Sequence, residues 1–250
     1  MSWVPLLGLA VTLVLLVLVE RWIHRHLQGA MLLLTGDREI AVILYALPLM
    51  PGILLHEVSH AVMARLLGVR VGRVSVRPRL TKERIQLGFV PVEETDPVRA
   101  SLIGLAPLLT GSAVILLIGY LGFGIGGVQR ALTDGAWMRL VTHLVGVMKA
   151  PDVWIWAYVI FAISNTMLPS QSDRESWAPV VMFLALALAL AWFAGLGPKI
   201  IERLGPGLDL ATRWLTAMYG FTIVADVPFL LLILIVEWAI GRMRGLRVEY

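Results

Sequence analysis

The sharpest chemical signal in this chain is His56-Glu57-Val58-Ser59-His60. Positions i and i+4 share one face of an α-helix, so both imidazoles can point at a single metal ion while Glu57 stands beside it as a general base. With five histidines and ten glutamates in 250 residues, the pattern arises by accident roughly 0.004 times in a chain of this composition. The motif lies inside an apolar stretch, directly after Pro51-Gly52-Ile53-Leu54-Leu55. An ionisable side chain there costs at least ~2.5–3.5 kcal/mol to insert into a bilayer and is a functional candidate for that reason. Pro48 and Pro51 precede the motif by one to two turns and are expected to bend the helix, freeing carbonyls or making room for water.

A catalytic zinc takes three protein ligands and keeps one position for water, so a third ligand must come from elsewhere in the chain. The sequence holds no cysteine, which excludes a thiolate site, a cysteine nucleophile and a disulfide framework. Besides Glu57, the carboxylates in or at the edge of apolar segments are Asp173, Asp226 and Glu237. Asp173 follows a polar stretch from Ser164 to Ser172 around Pro169, where a span ends on the same side as the end of the HExxH segment. It is the favoured third ligand. Asp226 is expected nearer the opposite side and Glu237 near the tail. His24 and His26 flank Arg25 without same-face spacing and read as a solvated or headgroup-facing patch. His143, in a partly apolar connector, reads as interfacial packing. Ser170 and Ser172 read as caps of backbone groups.

The elements that must position these residues are membrane helices. Hydrophobic residues make up 58% of the chain and charged ones 15%, against about 45–50% and about 25% in soluble domains, so an ordinary soluble domain is excluded. Six apolar segments, about 3–19, 40–66, 101–123, 153–170, 177–195 and 222–240, mostly approach the ~20 residues that cross a ~30 Å hydrocarbon core. The first runs into Glu20-Arg21 where a signal peptide would be cleaved, and is expected to stay as an anchor. The expected fold is therefore an all-α polytopic membrane protein of about six transmembrane helices, a single integral domain over 1–250. The net charge of +4 is read as basic loops facing a cytoplasm and not as a nucleic-acid footprint. The Arg-rich 67–100 loop decides the orientation, since the positive-inside rule places it in the cytoplasm. Alternating residues at Arg73–Arg77 and Ile85–Val90 predict a β-hairpin over 70–93, able to cap the site or to receive an extended peptide along its edge. Six tryptophans near segment ends (Trp3, Trp22, Trp154, Trp156, Trp177 and Trp238) are expected interfacial anchors.

On these residues the chain resembles the site-2 protease family of intramembrane zinc metalloproteases. The resemblance rests on His56-Glu57-x-x-His60 and on a later segment similar to the family's Asn-x-x-Pro-x-x-x-Leu-Asp-Gly motif, whose Asp is a zinc ligand. Asn165 and Asp173 keep its eight-residue separation, whereas proline is one place late at 169, Ser172 replaces the Leu and Arg174 the Gly. The segment with Gly104, Ala106-Pro107 and Gly111 looks like the family's Gly-Pro helix, with Ala106 where a glycine is expected. The resemblance covers 40–175, which it makes a catalytic three-span core, with 177–240 adding two further spans. It implies that His56, His60 and Asp173 hold one Zn²⁺, that Glu57 activates water, and that Asn165 helps hold the substrate backbone or the oxyanion. The implied partner is a transmembrane or membrane-adjacent segment of another protein, in a prokaryotic cell membrane with the site nearer the cytoplasmic face. The alternative is a non-proteolytic metal-binding membrane protein, either a pseudoprotease or a metal carrier.

Overall fold

The computed structural model describes residues 4–80, 85–124 and 151–245, together with Met138, Thr142, Val145 and Gly146. Trp3, His143 and the turn at 81–84 lie outside the described residues.

The first helix, α1 (Val4–Thr35), does not stop at Glu20 but continues through the charged stretch. Glu20 meets His24 one turn later, with Oε1 and Nε2 3.5 Å apart. Leu16, Ile23, Leu27 and Ala30 carry the buried face past that pair at helical spacing. Asp37 caps α2 (Arg38–Ala46), accepting the Glu39 and Ile40 amides at 2.8 and 3.0 Å. The bend expected from the prolines is a 3-10 turn at Leu47–Leu49, after which α3 (Met50–Leu66) carries the HExxH residues. Asp96 caps α4 (Pro97–Leu121) through the Val98 and Arg99 amides, both at 3.0 Å. Those hydrogen bonds, the one from Arg99 foremost, hold the Asp96 carboxyl below the ordinary aspartate value.

The second half of the chain departs from the six-span expectation. Helix α5 (Val153–Ser164) has 12 residues, about 18 Å at 1.5 Å per residue, well short of a hydrocarbon core. It ends where Ser164 Oγ and Asn165 Nδ2 both donate back to the Phe161 carbonyl, at 3.0 and 2.8 Å, in competition with the helical ladder. A short helix α6 (Gln171–Arg174), then α7 (Trp177–Phe193) and the 48-residue α8 (Gly197–Arg244) complete the order. Among the described residues, five helical stretches are long and apolar enough to cross a membrane: Pro5–Thr35, Arg38–Leu66, Pro97–Leu121, Gln171–Phe193 and Gly197–Arg244.

The short α5 lies at the centre of the packing. Ile160 and Ile163 join Leu16, Ile115, Met218 and Tyr219 in one apolar cluster, whereas Phe161 joins Ile23, Leu49, Ile53 and Ile233 in another. In this way α5 touches α1, α3, α4 and α8. Helix α7 is the opposite case: it buries none of its residues, so its Leu, Val, Met and Phe side chains are left for lipid.

The regular hairpin expected over 70–93 is not formed among the described residues. Two arms run antiparallel, but they pair only at Val71 with Val92, Ser75 with Phe89, and in a two-residue ladder of Arg79 with Gln86 and Leu80 with Ile85. The register slips by one residue between Val71 and Ser75, and again between Ser75 and Arg79. Such slips interrupt a ladder and leave an irregular strap.

Candidate metal centre

His56 and His60 project from one face of α3 as their spacing requires, with ring centroids 4.7 Å apart and Nε2 atoms 3.1 Å apart. Asp173, 113 positions beyond His60 and carried on α6, completes the group. Its Oδ1 lies 3.2 Å from His60 Nε2 and its Oδ2 3.7 Å from His56 Nε2. One ligand atom from each of the three residues falls within 4.8 Å of the others, so the group can hold a metal ion.

The atoms behind the cluster decide its chemistry. His56 Nδ1 faces the Thr166 carbonyl at 2.6 Å and His60 Nδ1 the Ile103 carbonyl at 2.8 Å. A carbonyl accepts only, so both Nδ1 atoms carry protons and donate. In the neutral rings both Nε2 atoms are then lone pairs, aimed at each other and at a carboxylate. Three acceptors converge without a donor, an arrangement that a cation satisfies. Backbone carbonyls behind ligating histidines also fix ring orientation and tautomer.

Each of these carbonyls is available for a local reason. Ile103 would normally accept from residue 107 within α4, but residue 107 is proline and has no N–H. Thr166 follows the end of α5, where the last carbonyls have no intrahelical partner. Asp173 is oriented by a capping box: Ser170 N–H donates to its Oδ2 at 2.7 Å while the Asp173 amide donates to Ser170 Oγ at 3.3 Å. Ser170 is thus a backbone cap, as expected. Close helix approach assembles the parts. A Cβ on Gly52 would strike the Ala162 carbonyl and Thr166 Oγ1, and one on Gly104 would strike the Asp173 carbonyl.

Glu57 is 7% exposed and lies within electrostatic reach of His60 and Asp173. The strap passes over it so closely that a Cβ on Gly88 would come within 2.6 Å of Glu57 Cγ. Ser59 donates to the Leu55 carbonyl at 2.6 Å and does not serve the histidines.

Asn165 is 1% exposed, and its Nδ2 donates to Phe161 O and, at 3.2 Å, to Ser164 Oγ. Its Oδ1 has no partner among the described residues. It stands one residue before the carbonyl that orients His56, not within the ligand group.

Two expectations need correction. His24 and His26 are on a helix, not in a solvated loop. His24 Nε2 lies 2.9 Å from the Asn165 carbonyl and Nδ1 2.5 Å from the Tyr45 hydroxyl, while His26 stacks on Trp22 and meets Glu237 at 2.6 Å. Asp226, expected toward the opposite side, is 1% exposed and accepts from Ser164 Oγ at 3.2 Å, two residues from Thr166. The sequence signals were present, in an Asp within an apolar span and in Glu20 and His24 at i,i+4 spacing. The partners across the fold were not readable from them.

Compared with protein-family models, curated proteins and solved structures, the chain matches none.

Proposed function

We propose that this protein is an intramembrane zinc metalloprotease, similar to the site-2 protease family, that hydrolyses a peptide bond in a transmembrane or membrane-adjacent segment of another membrane protein. The observation that carries the reading is the convergence of His56, His60 and Asp173 within apolar helices, with Glu57 next to the first ligand. Two imidazoles and one carboxylate suit zinc, which accepts nitrogen and oxygen ligands and keeps a fourth position in catalytic sites. When bound, zinc would supply Lewis acidity to polarise a carbonyl and to acidify water.

The rest of the work falls to the chain's own side chains. Glu57 takes a proton from the attacking water as oxygen adds to the scissile carbonyl, and returns it to the leaving amine as the C–N bond breaks. The substrate must be extended at that bond, because a helical peptide is hydrogen-bonded and sterically covered. The strap, laid over Glu57 at Gly88, offers an edge along which an extended segment can align. Asn165 is assigned to the substrate backbone. Its amide hydrogens point at Phe161 and Ser164, so Oδ1 is the acceptor left to it, and this buried segment must open for a substrate N–H to reach that atom. A cell membrane of prokaryotic type, with the site nearer the cytoplasmic Arg-rich face, is the setting this reading assigns.

The test is zinc content per purified chain together with cleavage of a helical reporter in liposomes. Wild type and Glu57→Gln are expected to carry one zinc per chain and Asp173→Ala to lose it, with cleavage by wild type alone. Cleavage by Glu57→Gln at the wild-type rate would overturn the reading. Zinc without cleavage of any membrane substrate would favour the non-proteolytic alternative.

A further inference from the structure

We propose that His24 and Asp226 are positioning residues for the metal centre, acting from α1 and α8 through the Ser164-Asn165-Thr166 segment that gives His56 its backbone partner. The proposal rests on the metal-centre reading above.

Three successive residues at the end of α5 are each held by a different helix. Ser164 Oγ meets the Asp226 carboxylate of α8 at 3.2 and 3.5 Å. The Asn165 carbonyl accepts from His24 of α1 at 2.9 Å, and the Thr166 carbonyl accepts from His56 of α3 at 2.6 Å. Two imidazoles from different helices therefore cap adjacent carbonyls that the end of α5 leaves open. The Asn165 carbonyl shares one rigid, planar peptide unit with the Thr166 nitrogen and Cα, so displacing it moves the residue whose carbonyl orients the His56 ring.

His24 is itself oriented. Its Nε2 faces a carbonyl and must donate, so in the neutral ring Nδ1 accepts, and the Tyr45 hydroxyl of α2 donates to it. Tyr45 is 3% exposed, so the donor is fixed in place. The relay runs from Tyr45 to His24, to the Asn165 carbonyl, and through one residue to the carbonyl behind His56.

On the other side, Asp226, Ser164 and Asn165 are each 1% exposed. Asn165 Nδ2 donates to Ser164 Oγ, and the Asn165 side chain also reaches Asp226. A carboxyl inside an apolar span is costly and an apolar residue there would pack at lower cost. A stabilising role therefore does not account for Asp226, whereas holding Ser164 and Asn165 does.

The experiment uses the full chain in detergent, with zinc affinity by competition titration and the absorption spectrum of the cobalt-loaded protein as readouts. His24→Phe and Asp226→Leu are expected to weaken zinc binding about tenfold, the lower end of the loss when partners behind metal ligands are removed, and to alter the cobalt band. His24→Gln, which keeps an N–H for the Asn165 carbonyl, and Asp226→Asn, which keeps an oxygen for Ser164, are expected to restore most of both. Wild-type affinity and an unchanged cobalt band in His24→Phe and Asp226→Leu, with wild type binding one zinc, would overturn the positioning role alone. A wild type that binds no zinc would overturn the metal-centre reading, and this proposal with it. Tyr45→Phe removes a single oxygen and decides the α1 arm if His24→Phe does not fold. Weaker zinc binding with an altered band supports the relay, and wild-type values for both overturn it.

Discussion

At His56 and His60 the tautomers follow from the carbonyls of Thr166 and Ile103, and with the tautomers fixed the two Nε2 lone pairs stand 3.1 Å apart beside a carboxylate. Glu57 is adjacent to this set but supplies none of the three ligand atoms, so in the proposed protease metal binding and proton transfer are separable by mutation. Glu57→Gln is expected to lower the cleavage rate by about 10²–10⁴-fold, the usual worth of a general base, while zinc per chain stays at the wild-type level. Single-turnover cleavage and metal analysis of one preparation check both halves. The i,i+4 spacing made His56, Glu57 and His60 legible in the sequence, because a helix brings them together using local geometry alone. The carbonyls behind the rings were not legible, since each partner lies dozens of residues away or more.

At the scale of elements, α4 supports the site through what its proline lacks. Pro107 has no N–H for the Ile103 carbonyl, and that carbonyl accepts from His60 instead. Pro107→Ala would introduce a competing donor in the same helix. Zinc affinity is expected to fall about 10–100-fold even though an interior proline is unfavourable to the helix by about 3 kcal/mol relative to alanine. A titration showing weaker metal binding in a chain that unfolds at the same or a higher temperature would bear this out. The strap makes a second test. Gly88→Ala would push a methyl group into Glu57, an overpacking that typically costs about 1–3 kcal/mol. On the proposed function, cleavage is expected to drop with zinc content unchanged, because the atoms nearest a Cβ on Gly88 are those of Glu57 and not of the ligands. Strap alternation was visible in the sequence, but the slips in pairing were not, since they are set by what the strap packs on.

For the whole molecule, the arrangement separates helices that build the site from one left to the bilayer. α5 contributes Ile160, Phe161 and Ile163 to two buried clusters, while α7 has no fully buried residue and Leu186 at its middle is 60% exposed. Because the chain has no cysteine, single cysteines report this directly. Arg77→Cys in the strap is expected to react with a membrane-impermeant maleimide in inverted vesicles, and Leu186→Cys to react only after the membrane is dissolved. Labelling of position 77 from the opposite face alone would reverse the assigned orientation. Rapid aqueous labelling at position 186 in intact vesicles would remove α7 from the membrane.

Composition and periodicity by themselves pointed to a membrane protein and to one helix face on which two histidines could hold a metal ion, because both properties depend on nearest neighbours and on the solvent. They also singled out Asp173, since few carboxylates lie at the edge of an apolar segment. The extent of the helices was decided by tertiary structure. The fourth apolar segment is expected to run on to residue 170, yet α5 stops at Ser164, where side chains bond back to Phe161 and where His24 and His56 cap the free carbonyls. Contacts with this same segment place His24 and Asp226 beside the residues that precede the carbonyl behind His56. The reason is physical: a buried polar group must find a partner, and which one it finds depends on how helices far apart in sequence pack together.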